Sequence, residues 1–208
     1  MNEHNKAHLP LMGMFAAIIL ILAFTPLGFI QLPFIRATII HIPVIIGCLL
    51  LGPKHGAALG FLFGLVSLIN NTMAPVILSF AFSPLIPVLG QDRGSFAALI
   101  VCFVPRILVG VVPWFFYHGL KKLLGDRSEA ASLAVAGVVG SLTNTLLVMH
   151  FIFLFFRESY AMAQDIATEA VYRFILGIIA MHGIPEAIVA GVLVTAICLA
   201  LKAVRRKG

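Results

Sequence analysis

Residues 130–155 read AASLAVAGVVGSLTNTLLVMHFIFLF, 26 residues without one Asp, Glu, Lys or Arg. As a helix this stretch is about 39 Å long, more than the ~30 Å hydrocarbon core of a bilayer. Its apolar residues run on unbroken, unlike the alternating ten-residue segments of a transmembrane barrel. A membrane-crossing helix is predicted, and the rest of the chain repeats its character.

Of 208 residues, 61% are apolar and 11% are charged, where soluble domains carry roughly a quarter charged residues. A chain of this length has too little interior to hide so much apolar surface, so the excess faces lipid. The net charge of +6 does not point to nucleic acid, because the basic residues are split among membrane-flanking segments. Cys48, Cys102 and Cys198 lie in apolar stretches without metal-type spacing and read as buried, inert thiols. The first apolar stretch is long and has no small-x-small site behind it, so it is expected to stay as a helix rather than leave as a signal peptide.

The expected fold is an all-α integral membrane protein, one domain over 1–208. Its six transmembrane helices fall at about 9–24, 37–51, 53–69, 95–120, 130–155 and 184–203. Thr25-Pro26-Leu27-Gly28 ends the first. Gly52-Pro53-Lys54-His55-Gly56 is a tight turn between the second and third. Residues 70–93 hold Pro75, Pro84, Pro87 and Gly90. They read as an irregular loop with a short helix, packed on protein because lipid would leave its amides unpaired. Lys121 to Glu129 is a polar turn, and Arg157 to Arg173 a polar segment. The run Phe174 to Ala203 is about 45 Å as one helix, too long for one crossing. Pro185 and Glu186 suit a helix start, so the sixth helix is predicted from Ile184 and Phe174 to Met181 is predicted to cap the outer face.

Six spans put both termini on one side. That side gathers Lys6, Lys54, Lys121, Lys122, Arg127, Lys202, Arg205, Arg206 and Lys207; the other has Arg36, Arg93, Arg106, Arg157 and Arg173. The bias places both termini in the cytoplasm. The long loops 26–36, 70–94 and 157–182 then form a lid outside.

Some polar residues do not belong in lipid. Arg106 lies about eleven residues into the fourth helix, roughly 15 Å down, where Arg costs about 2.5–3.5 kcal/mol on insertion scales. It faces a ligand, or it forms a structural ion pair or snorkels. Asn144, within Gly140-Ser141-Leu142-Thr143-Asn144-Thr145, reaches a similar depth on the fifth helix and can both donate and accept. The alternative is interhelical glue. His182 and Glu186, spaced i, i+4, are candidates for ligand contact or for capping the sixth helix. His41 and Arg36 sit at the outer mouth of the second helix, Asn70 at the start of the next outer loop, and His150 near the outer end of the fifth helix. Gly13, Ala16 and Ala17 offer small residues to a neighbouring helix. The chain has no Walker A, HExxH or Gly-x-Ser-x-Gly sequence, no Arg-rich voltage-sensor helix and no potassium-filter sequence. No catalytic residue, metal site or cofactor is expected.

Six stretches, taken in order and spacing, carry a resemblance. They are His41-Ile42-Pro43-Val44-Ile45-Ile46-Gly47, Leu51-Gly52-Pro53-Lys54-His55-Gly56-Ala57, Gly60-Phe61-Leu62-Phe63-Gly64-Leu65, Pro105-Arg106-Ile107-Leu108-Val109-Gly110, residues 140–145, and Ile184-Pro185-Glu186-Ala187-Ile188-Val189. Over most of its length the chain resembles the S components of energy-coupling factor (ECF) vitamin transporters, in particular the pantothenate group. The resemblance implies a six-helix subunit of the cell membrane that binds a vitamin or precursor on its outer side. It also implies a transmembrane T component and two cytoplasmic ATPases as partners, with Gly13, Ala16 and Ala17 on the T-component face. Toppling of the whole subunit in the membrane is a further implication. Arg106 would pair a pantothenate carboxylate; Asn144 and His182 would meet its hydroxyl and amide groups. Glu186, His41, Arg36 and Asn70 complete the expected binding set. Phe80 and Phe82 keep a flat aromatic vitamin open, whereas Trp114 lies below the expected pocket.

Two other readings stand beside this one. A stand-alone secondary transporter would show inverted repeats, and none is evident. An intramembrane metal enzyme would need His182, Glu186, His41 and His150 to converge.

Overall fold

The computed structural model of the chain describes residues 3–25, 29–32, 35–125 and 128–205. It is helical almost throughout. The helices are α1 (Glu3–Phe24), α2 (His41–Leu51), α3 (Pro53–Met73), α4 (Ala97–Val109), α5 (Val112–Leu124), α6 (Glu129–Gln164), α7 (Val171–Ile178) and α8 (Ile184–Arg205). Four runs are long and apolar enough to cross a bilayer: Pro53–Met73, Ala97–Leu124, Glu129–Gln164 and Thr168–Val204. Leu9–Phe24 and His41–Leu51 are shorter apolar helices.

Several boundaries differ from those read in the sequence. The loop expected over 26–36 contains an antiparallel hairpin, β1 (Phe29–Leu32) and β2 (Ile35–Thr38), with Phe29 opposite Thr38 and Leu32 opposite Ile35. Aromatic and β-branched residues at these positions favour strand over helix, so α2 starts at His41 rather than at 37. The helix α3 runs to Met73, past the expected end at 69, which places Asn70 and Asn71 on its last turn rather than in a loop. The predicted 95–120 helix is broken at Gly110–Val111, where Val111 leaves helical geometry, and Pro113 starts α5. Beyond Phe155, α6 continues to Gln164 through a kink at Phe156; polarity there marks exit from the apolar zone, not loss of helix. Residues 174–181, expected as a cap before the sixth helix, are helical and continuous with it. They lie in α7 and a π-helical turn, Ile179–Gly183, that leads directly into α8.

Each helix is placed by its apolar face. The short helix α2 is apolar all round and buried over His41–Cys48, as such a helix must be. Gly52, at φ +92°, turns the chain and Pro53 opens α3 in the opposite direction. Helices α3 and α4 approach at backbone distance: a Cβ on Gly56 would strike the Gly110 carbonyl, one on Gly60 the Arg106 carbonyl, and one on Gly64 the Phe103 ring. Glycine every fourth residue is the device that lets helices pack without a hydrophobic drive between them. Helices α6 and α8 meet similarly, with Gly137 against Ala190 and Gly191, and Gly183 against Thr145.

Two apolar clusters fill the interior. One joins α1, α2 and α3 to α6 and α8 through residues such as Phe15, Ile19, Val44, Ile45, Leu59 and Leu133. The other joins α4, α6, α7 and the 3₁₀ turn Ile77–Ala81 through Phe80, Val101, Ile152, Phe156, Tyr160 and Ile175. Ile21, Phe61, Phe96, Leu154, Ile188 and Val192 point outward, each at least half exposed. Outward apolar side chains spread over several helices are suited to lipid.

Candidate functional site

The site grows from a local event in α4. Pro105 has no N–H, so the Val101 carbonyl loses its ordinary helix partner four residues on. The next residue answers it: Arg106 Nη1 donates to Val101 O at 2.9 Å. The guanidinium carbon lies over two rings, 5.6 Å from the centroid of Phe63 and 5.0 Å from that of Phe82. Arg106 is 7% exposed, and its Nε is buried with no partner. The ion pairs found among the described residues, Lys121–Glu129 and Lys202–Glu129, do not include it. A cation taken out of water with one backbone acceptor and no ion pair among the described residues is costly unless something else supplies the missing acceptors.

Arg106 opens on a cavity of about 240 Å³, just below the ~300–1,000 Å³ common for ligand pockets. Helices α3, α4, α6 and α8 supply its polar wall: Ser67, Asn70 and Asn71, Arg106, Asn144, and Glu186. Ala23 of α1, Ile40, Phe63 and Val66 supply the apolar wall. Asn144 Oδ1 is buried without a donor. Asn70 Nδ2 donates to Ala23 O at 2.9 Å, fixing the end of α1 to α3. Asn71 Nδ2 donates to Ser67 O at 2.8 Å, and its Oδ1 accepts from Ser79 Oγ at 2.8 Å. The cavity thus offers an unmet cationic donor and an unmet neutral acceptor, both too deep for bulk water. Chemically it suits a small ligand with an anionic end and at least one hydrogen-bond donor.

Four of the seven expected binding residues, Arg106, Asn144, Glu186 and Asn70, line this one cavity. Two of the other three, His41 and His182, are not among its lining residues. His41 is 2% exposed, follows Ile40 of the cavity wall, and has no partner on either ring nitrogen. His182 is on the π-helical turn before α8 and does not line the cavity. Arg36 is placed in β2 opposite Gln31, and its side chain lies outside the described residues. His150 is exposed, its Nδ1 paired with Leu146 O at 2.7 Å. Among the described residues, no three His, Cys, Asp or Glu side chains gather as a metal site requires. Phe80 is buried in the second cluster rather than free to stack on a ligand. Sequence reasoning missed Ser67, Asn71, Phe63 and Val66. The signal for Asn71 was present: two consecutive asparagines closing an apolar helix.

Residues 8–198 match the family described as the substrate-specific component of ECF transporters. The chain belongs to that family. This S component is 36% identical over 208 residues to the pantothenic acid transporter PanT of Lactococcus lactis subsp. cremoris, covering 99% of the chain and 98% of the relative. It is 26% identical over 207 residues to the pantothenate transporter PanT of Leuconostoc mesenteroides subsp. mesenteroides, covering 95% and 93%. The S component is a transport protein, not an enzyme, and a multi-pass protein of the cell membrane.

Proposed function

We propose that this S component captures pantothenate at the extracellular face and passes it to an ATP-driven ECF-type importer. The observation that carries the reading is Arg106, buried, without a carboxylate partner among the described residues, and facing a cavity. Pantothenate has one carboxylate, an amide and two hydroxyls. The carboxylate satisfies the guanidinium; an amide N–H or hydroxyl satisfies Asn144 Oδ1. Glu186, Asn70 and Asn71 are within the same cavity to receive or supply the remaining hydrogen bonds. The names of the two relatives favour the same vitamin. His182 and His41, which do not line the cavity, take a secondary place.

In this reading the two shorter apolar helices complete six spans of a single membrane domain, both termini are cytoplasmic, and the hairpin side, with the 74–96 and 165–183 segments, faces outward as the lid. The energising partners are a transmembrane T component and two ATPases. Gly13 has open space where a Cβ would be, and Ala17 is exposed, so both are available to a partner helix; Ala16 is turned partly onto the core.

The test is calorimetric titration of pantothenate into the purified S component after removal of bound ligand, with mass spectrometry of whatever co-purifies. One-to-one binding is expected, and Arg106→Ala should weaken it by about 100-fold or more. Equal affinity in the variant, or a co-purifying compound without an anionic group, sinks the reading.

A further inference from the structure

The segment between α3 and α4 touches the anion site at two independent points. Ser79 Oγ, on the Ile77–Ala81 turn, donates to Asn71 Oδ1, and Asn71 lines the cavity. Phe82, the residue that ends that turn, places its ring 5.0 Å from the Arg106 guanidinium carbon. The segment is itself anchored. Ser79, Phe80, Ala81 and Ser83 are buried, Ser83 Oγ shares a hydrogen bond with Thr72 Oγ1 at 2.7 Å, and Ser159 Oγ donates to Leu89 O at 2.9 Å. It is built as a fixed wall rather than a flap.

We infer that Phe82 is a positioning residue for the anion site, holding the Arg106 guanidinium over its ring so that the N–H groups not taken by Val101 are kept in place for a ligand carboxylate. This rests on the pantothenate reading and deepens it. An arginine side chain with one hydrogen bond has several rotamers open to it, and ordering one costs affinity when it happens during binding. Phe63 and Phe82 attract the guanidinium over their rings without accepting a conventional hydrogen bond from it. Val101 O takes Nη1 from one side, so the remaining N–H groups are held before the ligand arrives. A leucine at 82 fills similar space but has no ring to attract the cation.

A role in wall shape and a role in holding Arg106 separate on one comparison. Pantothenate and its alcohol analogue, in which the carboxylate is reduced to a primary hydroxyl, share every contact except the one to Arg106. Titration of both into the wild type, Phe82→Leu and Phe82→Tyr gives the answer. Phe82→Leu should lose about tenfold for pantothenate and change by less than about twofold for the alcohol, and Phe82→Tyr should restore the wild-type ratio. Equal losses for both ligands, or no loss for either, overturn the inference. If Phe82→Leu does not fold, Phe63→Leu tests the same preference through the other ring, with the same two outcomes. A wild type that binds neither compound overturns the pantothenate reading itself, an outcome distinct from an unchanged ratio.

Discussion

The two ends of the bundle treat their cations in opposite ways. At one end Lys202 Nζ donates to both Glu129 Oε1 and Tyr117 OH, stands 5.0 Å from the Tyr117 ring, and shares Glu129 with Lys121. Three helices, α5, α6 and α8, are tied there by a satisfied network. At the other end Arg106 has one backbone acceptor, two rings and a buried Nε with nothing opposite it. A charge whose needs are met internally stabilises the fold, and one whose needs are left open keeps energy in reserve for a ligand. The contrast separates Lys202, whose donors are met within the bundle, from Arg106, whose Nε has no partner beside a polar cavity.

Arg106→Leu breaks this comparison most directly. If the guanidinium is held for a ligand, its removal should cost about 3–4 kcal/mol of pantothenate affinity, a loss of several hundredfold. The same change should raise the stability of the ligand-free protein by about 1–3 kcal/mol, because an under-satisfied buried charge is replaced by an apolar side chain of the core. Thermal unfolding in detergent, with and without pantothenate, reads both effects. A ligand-free protein that becomes less stable would make Arg106 a structural cation like Lys202.

Much of the Arg106 end was legible in the sequence, for energetic reasons. Arg106, Asn144 and Glu186 are conspicuous in apolar stretches because each is expensive there, and the matched depths of Arg106 and Asn144 pointed to one pocket, which the cavity contains. Less legible was anything that depends on where helices stop. The reach of α3 to Met73 put Asn70 and Asn71 in the wall, but asparagine favours both helix ends and loops, so composition did not decide between them. The histidines read from the sequence as mouth residues do not line the cavity, since the rise along a helix fixes a depth and not which face meets the cavity. Arg106 also meets Phe82, which a proline-interrupted segment brings back over it; no periodicity announces such a return.

Gly60 sharpens the comparison next. The spacing Gly56, Gly60, Gly64 sets α3 on α4 at the turn that carries Arg106, and a side chain at Gly60 would meet the Arg106 carbonyl. Gly60→Val should destabilise the protein by about 2–3 kcal/mol through overpacking. In whatever fraction folds, pantothenate affinity should fall further than stability alone explains, because the displaced element is the one that aims the guanidinium. Gly13→Val, where nothing lies within reach of a Cβ, is the internal control and should bind normally. Equal binding by the two variants would mean that the α3–α4 contact does not set the site.

The smallest effect belongs to the satisfied end. Lys202 and Glu129 are each partly open, with side chains 34% and 21% exposed. Solvent-screened pairs of this kind contribute about 1 kcal/mol or less even when geometry is good. Lys202→Met keeps the aliphatic stem against its neighbours and removes only the charge. The expected result is a small loss of thermal stability, itself reduced at high salt in the wild type because the network is screened, and an unchanged pantothenate affinity. Lys202 does not line the cavity that holds Arg106. A tenfold change in affinity from Lys202→Met would show that the ends are coupled, and the division between a structural and a ligand-facing cation would have to be replaced by a single network spanning the bundle.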